Sequence, residues 1–559
     1  MNSPNFAGHD RHRSERVVLQ ALRYASVIVA ITCCGMSSAQ QSAAPAGTPE
    51  IRSSAPWTPD IVAAIDDYVI DPGFNGGRFL LDHFADASNL DQQGLVTANL
   101  YSNGDMLVAG LVPDGVGGGF CGDGTKLCSI GLVRYNAAGQ RIPWPNPHQF
   151  GRDSNNYLVY PGASSAAKFQ FLRHVNVRGA YIDVLVDEPD DVHPALTLGH
   201  RNVSIITFLT DGSLAGITKV FGRSSSAAGD VADFYGAQMV ETTSGAVIVA
   251  ATAYAGNGPF IAVTRLIFNN NGVLVDDNSW GFPYGGIGPN RLRSYDAPSS
   301  YCGGGVCDVI AGYVAQAKGV AQSNDVYVAA SIHVSGTNWD PIALKISAVT
   351  GSVKPEFNGS GWSRAVFDDA NSSLDDRAAG LYVFLDDVYM AAKVSRKCFS
   401  GIGLAKINGA TGAYNASFGS GGKTVFGGQG NAPICFSPPG GDYPAAIAGT
   451  SAGARIGVVG YRHHGITGIS NLYDPMLAVV NGVSGQVLDF NVHPVKRADN
   501  SRYGDAVLYG IFNTTLGGTS IFAVSGNGRD ASAGNTLSYL AGRLVSSASD
   551  RIFASGFDN

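Results

Sequence analysis

Charged side chains are scarce in this chain of 559 residues. They make up 14% of it, against roughly 25% in an average globular protein. The chain has 37 basic and 44 acidic residues, and its basic residues form no run. The sequence therefore predicts no nucleic-acid partner. No segment has helical periodicity, and none after residue 39 reaches the about 18 consecutive apolar residues that indicate a membrane span. The sequence therefore predicts neither a helical fold nor a membrane span beyond the N-terminus.

Motifs that hold metals or perform catalysis are also lacking. No C-x-x-C pair occurs, and the paired acidic residues do not fit the calcium-loop pattern D-x-[DN]-x-[DN]-G. These pairs are Asp368-Asp369, Asp375-Asp376 and Asp386-Asp387. The histidine pair His463-His464 is interpreted as part of a solvated loop. We therefore predict no catalytic residue, no cofactor and no metal site.

Two short matches to catalytic motifs are interpreted as loops. Residues 449–453 (GTSAG) fit G-x-S-x-G, but a nucleophile elbow needs a helix after it, and here the strand-like run at Ile456 follows. Residues 165–168 (SAAK) fit S-x-x-K without the partner motifs of that enzyme class. Neither match predicts a nucleophile.

The N-terminus has the composition of a secretory signal peptide. Residues 1–23 carry four arginines, residues 24–36 form a short uncharged apolar run, and Ser37-Ser38-Ala39 follows. We predict cleavage after residue 39 and an exported protein that is secreted, on the cell surface or in the periplasm. A permanent anchor and lipid attachment at Cys33 or Cys34 are the alternatives. Residues 40–65 are predicted to be a linker, 66–545 a repeat domain, and 546–559 a C-terminal tail.

The remaining chain repeats one unit seven times. Each unit has a first apolar strand that contains small residues and a second apolar strand, which a Gly- or Asn-rich turn usually follows. The first strands begin at Asp105, Ala180, Ala246, Asp325, Asp387, Arg455 and Asp505, and the second at Ile130, Val203, Ile261, Ile342, Ile402, Met476 and Ile521. The units average about 74 residues, which suits four-stranded blades with loop insertions.

Most of these strands are apolar on both faces, so both faces must be covered, as in sheets packed side by side around an axis. Small residues such as Ala250, Ala329 and Ala391 let neighbouring sheets approach closely, and we expect them to be buried. The sequence predicts an all-β fold, a single β-propeller with seven blades of antiparallel strands. A β-solenoid or stacked β-sheets is the alternative, although solenoid coils usually repeat about every 20–30 residues.

Three elements of the unit resemble the delta-sixty repeat of bacterial secreted propeller-like proteins. That repeat reads approximately D-x-x-F-G-x-G-G, then D-G-K-hydrophobic-V-A-G, then L-A-R-Y-N-x-D-G-S. The first element appears here as Asp71-PGFNGG, Phe357-NGSGW and Phe418-GSGGK, the second as Gly104-DMLVAG, and the third as Gly131-LVRYNAAGQ and Gly403-LAKINGATG. The match covers residues 71–140 and 341–426. The resemblance implies a propeller-like fold and a secreted setting, and it implies no catalytic residues.

The segment at Asp71 precedes the first complete unit, whereas in later units the same element follows the second strand. It is therefore an orphan outer strand. We expect residues 74–84 to pair antiparallel with a strand after about residue 520, which closes the ring and removes an exposed edge.

Six cysteines remain after loss of the signal peptide: Cys121, Cys128, Cys302, Cys307, Cys398 and Cys435. An even number in an exported chain predicts disulfides, with 15 possible connectivities. Proximity in sequence favours Cys121–Cys128 and Cys302–Cys307, and elimination then pairs Cys398 with Cys435. Zinc binding is the alternative.

The sequence leaves two main hypotheses about function. The first is an exported, monomeric, non-enzymatic binding or surface protein whose ligand is an unknown extracellular polymer or protein. The second is an extracellular polymer-degrading hydrolase or lyase with its site at the propeller channel mouth, and a quinone-dependent dehydrogenase is a distant third. Acidic, His or Arg side chains that converge at one mouth would favour an enzyme. Gly, Ser and aliphatic side chains there would favour binding.

Overall fold

The structure, a computed structural model, describes residues 68–84, 93–99, 105–113, 128–146, 150, 156–162, 169–189, 201–222, 233–255, 258–283, 291–316, 324–336, 338–367, 375–396, 399–428, 441–450, 453–466, 471–496, 504–516, 519–530 and 536–546. Within these ranges the only helical element is the short 3₁₀ helix Ser299–Tyr301, and all other regular elements are strands.

The strands, numbered in chain order, form six sheets. The first two sheets contain β3 (Gln93–Asn99), β4 (Met106–Pro113), β5 (Cys128–Tyr135) and β6 (Leu158–Tyr160), and then β7 (Phe171–Arg178), β8 (Tyr181–Pro189), β9 (Arg201–Leu209) and β10 (Leu214–Phe221). The next two contain β11 (Asp233–Glu241), β12 (Val247–Ala255), β13 (Gly258–Phe268), β14 (Leu274–Asp276), β15 (Phe282–Pro283) and β16 (Arg291–Tyr295), and then β17 (Val309–Gln316), β18 (Asp325–Ser335), β19 (Asn338–Ser347) and β20 (Trp362–Arg364). The fifth contains β21 (Arg377–Phe384), β22 (Asp387–Arg396), β23 (Phe399–Asn408), β24 (Lys423–Phe426), β25 (Gly441–Gly449), β26 (Arg455–Ile466), β27 (Asn471–Asn481) and β28 (Val487–Val492). The sixth contains β29 (Ala506–Leu516), β30 (Thr519–Asp530), β31 (Thr536–Ser546), β1 (Tyr68–Ile70) and β2 (Leu80–Asp82).

A strand group here is a run of consecutive strands that begins with β3, β7, β11, β17, β21, β25 or β29. These first strands form a closed circle and are called the innermost strands. They contact one another in that order, and β29 contacts β3. Hydrophobic clusters fill the spaces between successive groups. The predicted all-β propeller is therefore confirmed. Each group is named below by its innermost strand.

The number of separate sheets differs from the predicted seven blades. All the predicted strand pairs are antiparallel neighbours: β4–β5, β8–β9, β12–β13, β18–β19, β22–β23, β26–β27 and β29–β30. However, a parallel pair between Ser400 and Gly441 joins β23 to β25, so two of these pairs lie in one sheet. The described strands thus form six hydrogen-bonded sheets.

Ring closure is confirmed. Leu80 to Asp82 pair antiparallel with Ala541 to Tyr539, and β1 pairs with the other half of β31. The carboxylate of Asp82 accepts hydrogen bonds from the Tyr135 hydroxyl at 2.6 Å and from Nε of Arg141 at 2.8 Å. The N-terminal segment therefore completes the last sheet and is tied to the β3 group.

Close packing between groups depends on the predicted small residues. Ala250, Ala329 and Ala391 are fully buried, and each lies in a cluster shared with the following group, as expected. A larger side chain at any of these positions would overpack the interface.

Aromatic residues pack on the glycine turns of the next unit. The backbone of Phe357, in the delta-sixty-like element, lies against Gly412, which has φ +75°. A Cβ atom at Gly412 would lie 2.6 Å from the backbone nitrogen of Asn358. The rings of Trp144 and Trp280 contact Gly212 and Gly351, in the part of the chain where the Phe-containing element is absent.

One predicted disulfide is confirmed, because Cys302 and Cys307 are bonded with their Cα atoms 5.6 Å apart. Cys128 is also disulfide-bonded. Cys121, Cys398 and Cys435 lie outside the described residues, so the pairings Cys121–Cys128 and Cys398–Cys435 stay predictions. The predicted signal peptide, linker and C-terminal tail from residue 547 likewise lie outside them.

Candidate active site at the propeller mouth

One end of the ring, here called the mouth, is the end at which the innermost strands begin. In antiparallel sheets the second strands end there, and the third strands begin there. Side chains at the starts of five innermost strands mark this opening: Phe171, Tyr235, Asp308, Arg377 and Tyr443.

A β-bulge occurs near the start of every innermost strand. The additional residues are Leu95, Arg173, Ala237, Gly312, Ala379, Ala445 and Tyr509. Bulges bend a strand, redirect side chains and are over-represented beside active sites. Two of the bulged positions, Arg173 and Tyr509, carry large polar side chains.

Two arginines meet at the mouth on the β7 group. The guanidinium carbon of Arg201 lies 4.5 Å from the ring centre of Phe171 and 4.5 Å from that of Tyr235. The guanidinium carbon of Arg173 lies 4.4 Å from the same Phe171 ring. Cations are attracted to the faces of aromatic rings, so these contacts hold both guanidinium groups in place. We call these four residues the arginine site.

The buried carboxylate of Asp187 supports the arginine site. It accepts hydrogen bonds from Nε of Arg173 at 2.8 Å and from the backbone nitrogen of Gly236 at 2.8 Å. Burial raises the pKa of Asp187, and the charge of Arg173 opposes that rise. Among the described residues, Nε of Arg201 has no hydrogen-bond partner, and the charges of Asp187 and, to a smaller degree, Asp233 attract this arginine. Arg201 is therefore the arginine of this site that can bind an anionic ligand.

His174 follows Arg173 directly on β7 and supplies a basic nitrogen. Burial lowers its pKa to about 4, so the imidazole is neutral at physiological pH. In the part of the chain that the structure describes, its Nδ1 atom has no hydrogen-bond partner. A neutral imidazole nitrogen without a partner can accept a proton.

Two tyrosines complete this side of the mouth. The rings of Tyr235 and Tyr254 meet edge to face with their centres 5.0 Å apart. Burial raises the pKa of Tyr254, so its hydroxyl stays protonated. Tyr254 is 37% exposed and is therefore accessible from the mouth.

Tyr313 of β17 contacts the β25 group. Its hydroxyl donates a hydrogen bond to the carbonyl oxygen of Ala445 at 3.3 Å, past the intervening strand β21. Burial raises the pKa of Tyr313 to about 12.

The motifs tested in the sequence do not form a site. Strand β26 follows residues 449–453, as expected, whereas residues 165–168 lie outside the described residues. The loop interpretation of His463 is wrong: the hairpin is longer than predicted, and the side chain is buried in β26 against Tyr473. Two of the acidic residues form structural contacts. Asp376 accepts a hydrogen bond from the Ser395 backbone, and Asp387 pairs with Lys406 at 2.9 Å.

Sequence reasoning did not identify the arginine site. Its parts come from three strands in two strand groups, and spacing along the chain does not bring them together. The available signal was Arg173-His174, two adjacent polar residues in β7, an innermost strand in which four of the eight residues are polar.

Neither a metal centre nor a transmembrane helix is found in the described residues. No three His, Cys, Asp or Glu side chains there converge as metal ligands. No helix in those ranges is long and apolar enough to cross a bilayer.

Fold and site together define an all-β propeller with arginine and aromatic side chains at its mouth. No protein-family model and no curated protein matches the sequence. The structure is similar to a PL25 ulvan lyase bound to -[GlcA(1-4)Rha3S]-, with 12% identity, 80% of this chain and 93% of that chain covered, and a TM-score of 0.41. It is also similar to polysaccharide lyase Uly1 (10% identity, 81% and 90% covered, TM-score 0.42) and to a neuraminidase-like protein from A/bat/Guatemala/164/2009 (10%, 67% and 89%, 0.34). At these values the similarities carry no argument about activity.

Proposed function

We propose that the protein is an extracellular polysaccharide lyase that cleaves an acidic polymer at the mouth. The observation that carries this proposal is the arginine site, in which Asp187 binds Arg173 while Nε of Arg201 has no hydrogen-bond partner among the described residues. Guanidinium groups are suited to bind carboxylates and sulfates. The adjacent rings of Phe171 and Tyr235 suit the apolar faces of sugars.

Elimination from a uronic acid unit gives each residue a role. Arg201 binds the uronate carboxylate and stabilises the negative charge that develops there as the adjacent carbon loses its proton. His174 accepts that proton. The electron pair forms a carbon–carbon double bond, the glycosidic carbon–oxygen bond breaks, and the Tyr235 hydroxyl protonates the leaving oxygen. The reaction consumes no water and needs no cofactor.

Hydrolysis has less support at this site. Glycosidases generally use two carboxyl groups about 5–9.5 Å apart across the scissile bond. Asp187 is fully buried and binds Arg173 and Gly236, so it is occupied in positioning. The arrangement of cation, imidazole and phenol supports elimination.

The sequence favoured non-enzymatic binding because no catalytic motif was present. Arg173 and Arg201 nevertheless come from one strand group and meet over the ring of Phe171, and His174 lies next to Arg173 in the sequence. Polar side chains that converge at one mouth are the criterion given above for an enzyme. This supports the hypothesis of a polymer-degrading enzyme over that of a binding protein.

Export forms part of the proposal, as do membership of the delta-sixty repeat family and a monomeric state. The Cys302–Cys307 disulfide supports an oxidising compartment, where such bonds persist. The N-terminal sequence of the exported protein tests cleavage after Ala39.

A turnover screen tests the proposed activity. The exported protein is incubated with polygalacturonate, alginate, hyaluronan or chondroitin sulfate, and the ultraviolet absorbance of unsaturated uronate ends is followed. We expect turnover of at least one polymer. Binding without turnover would support the non-enzymatic hypothesis, and neither binding nor turnover would contradict both.

Two variants locate the activity. Arg201→Ala should lower kcat/KM by at least about 100-fold, because one buried charge-assisted contact is worth about 2–4 kcal/mol. The control Lys496→Ala removes an exposed cation beyond β28 and should leave kcat/KM unchanged. Equal effects of the two substitutions would place the activity elsewhere.

A further inference from the structure

We infer that the mouth carries a second sugar-binding subsite, an aromatic platform on the β25 and β29 groups that holds non-reacting units of the same acidic polymer. The platform consists of Tyr443, Tyr461, Tyr473 and Tyr509. This inference rests on the proposed function, since it assigns a length and a path to the substrate.

Cross-strand pairing assembles most of the platform. Tyr443 pairs with Tyr461, and their rings stack with centres 5.1 Å apart and planes 11° apart. Tyr473 pairs with His463, and those rings stack at 4.8 Å. Tyr461 also meets Tyr473 edge to face at 5.5 Å. Because Tyr461 and His463 are two residues apart on β26, these rings share one face of the sheet.

An ion pair on the opposite face holds these strands in register. Asp442 is fully buried and accepts hydrogen bonds from Nε of Arg462 at 2.7 Å and from the backbone nitrogen of Gly428 at 2.6 Å. Arg462 also packs over the ring of Phe490. The tyrosines before and after these residues are therefore presented on a fixed scaffold.

The platform is accessible. Tyr509 is 38% exposed, and the other three tyrosines are half-buried. Burial raises the pKa of Tyr461 to about 12 and that of Tyr509 above its ordinary value, so both hydroxyls stay protonated at neutral pH. Phenol rings of this kind offer an apolar face to a pyranose ring and a donor to its hydroxyls.

Cations continue from the platform around the mouth. Nζ of Lys393 lies 5.7 Å from the ring centre of Tyr443. On the same strand group, the guanidinium carbon of Arg377 lies 4.5 Å from the ring centre of Trp339. Asp375 lies 3.0 Å from Arg377 and 4.0 Å from Lys393, so one carboxylate serves two cations. Positive charge beside aromatic rings complements an anionic sugar chain.

The platform and the arginine site lie on different sides of the mouth. In the circle of innermost strands, β3 separates β29 from β7 on one side, and β11, β17 and β21 separate β7 from β25 on the other. Because other strands lie between the two sites, we expect a chain of several units, and not a single sugar at Arg201, to contact both. Affinity should therefore increase with chain length.

The test compares the full-length exported protein with Tyr443→Ala/Tyr509→Ala and with the matched control Tyr443→Phe/Tyr509→Phe, which keeps the rings. Native gels that contain polygalacturonate, alginate, hyaluronan or chondroitin sulfate give Kd for each polymer, and size-fractionated oligomers of the bound polymer give Kd against length. We expect the alanine variant to lose at least tenfold in affinity for the polymer and less than twofold for the shortest bound oligomer. The phenylalanine variant should stay within threefold of the wild type throughout.

Equal losses for long and short ligands, or no loss at all, would overturn the platform, as would a wild-type protein that none of the gels retards. If the double alanine variant does not fold, Tyr509→Ala alone should show a threefold length-dependent loss. Platform-dependent binding without turnover would contradict the lyase and support the platform. Turnover that depends on Arg201 but not on chain length would support the lyase and contradict the platform.

Discussion

Burial of single residues sets the charges that the mouth presents. Tyr254 and Tyr461 are held protonated, and His174 is held neutral, because their surroundings disfavour the charged forms. Arg201 remains cationic. The chemistry thus depends on side chains whose protonation does not change near neutral pH.

Activity should be constant across the neutral range because His174 has a pKa of about 4 instead of its ordinary 6.5. A proton is taken up by the folded enzyme only near pH 4, so kcat/KM should fall only below about that pH. The same shift lowers stability as pH falls from about 6.5 towards 4, because the unfolded chain takes up the proton first. His174→Gln should lower kcat by about 100-fold or more and abolish the acid limb. An acid limb near pH 6.5 in the wild type would contradict this role.

Gly412, in the turn that follows β23, occupies a position that requires glycine. Its φ of +75° and the 2.6 Å approach to Asn358 leave no room for a Cβ atom. Gly412→Ala should cost about 2–3 kcal/mol of unfolding free energy. The control Gly421→Ala also has a positive φ, +61°, but nothing lies within 4 Å of its Cβ position, so only the backbone strain of about 1 kcal/mol applies. Denaturant unfolding should separate the two variants, and equal losses would contradict the steric argument.

At the level of strands, continuous apolar runs were enough to predict the central pairs, because a sheet covered on both faces requires them. Strand β31 was missed although Leu540-Ala541-Gly542-Arg543 resembles the third element of the repeat. Arg543 donates to the Ala137 carbonyl at 2.8 Å, as Arg134 donates to that of Thr210 at 3.0 Å. The inserted glycine, against which Phe79 packs, obscured the pattern.

The residues of the arginine site were harder to predict than the strand pairs. The strand patterns do not distinguish innermost strands from the others, and the bulged residues Arg173 and Tyr509 lie in innermost strands. Their neighbours at the mouth lie on other strands and other groups, so the site depends on ring geometry that no local pattern encodes. This is why the arginine site appears only in the structure.

The two cysteine pairs that stay predictions can be tested directly. Mass mapping of the non-reduced exported protein should find Cys121–Cys128 and Cys398–Cys435 beside Cys302–Cys307, and no free thiol. The longer loop between Cys398 and Cys435 should contribute somewhat more stability than the short ones, since loop-closure entropy increases with the logarithm of loop length. A free thiol on Cys398 or Cys435 would refute that pairing.

At the scale of the whole molecule, the circle of strand groups was predictable because its repeats and its orphan first strand are visible in the sequence. The parallel pair between Ser400 and Gly441, which merges two groups into one sheet, was not predictable. It depends on how closely two neighbouring groups approach, and the strand patterns do not specify that distance.

The closure of the ring also responds to acid. Burial alone would raise the pKa of Asp82, but the hydrogen bonds and charge of Arg141 lower it below its ordinary 3.8. The stability from this contact is fully present above about pH 4 and is lost as pH falls through the lowered value. Asp82→Asn should therefore reduce stability at pH 7 and flatten its loss below pH 4, measured by thermal unfolding.

Deletion of the closing segment should open the ring. Residues 68–84 contribute the buried side chains Tyr68, Phe74, Phe79 and Phe84 and cover the edge of β31. A chain that begins at residue 85 loses this burial, worth about 1.5–3 kcal/mol per side chain, and exposes an unpaired strand edge. Its melting temperature should fall by at least about 10 °C, and light scattering should show self-association. A matched chain that begins at residue 66 keeps both strands and should melt with the full-length protein. If the two truncated chains melt together, the N-terminal strands do not hold the ring closed.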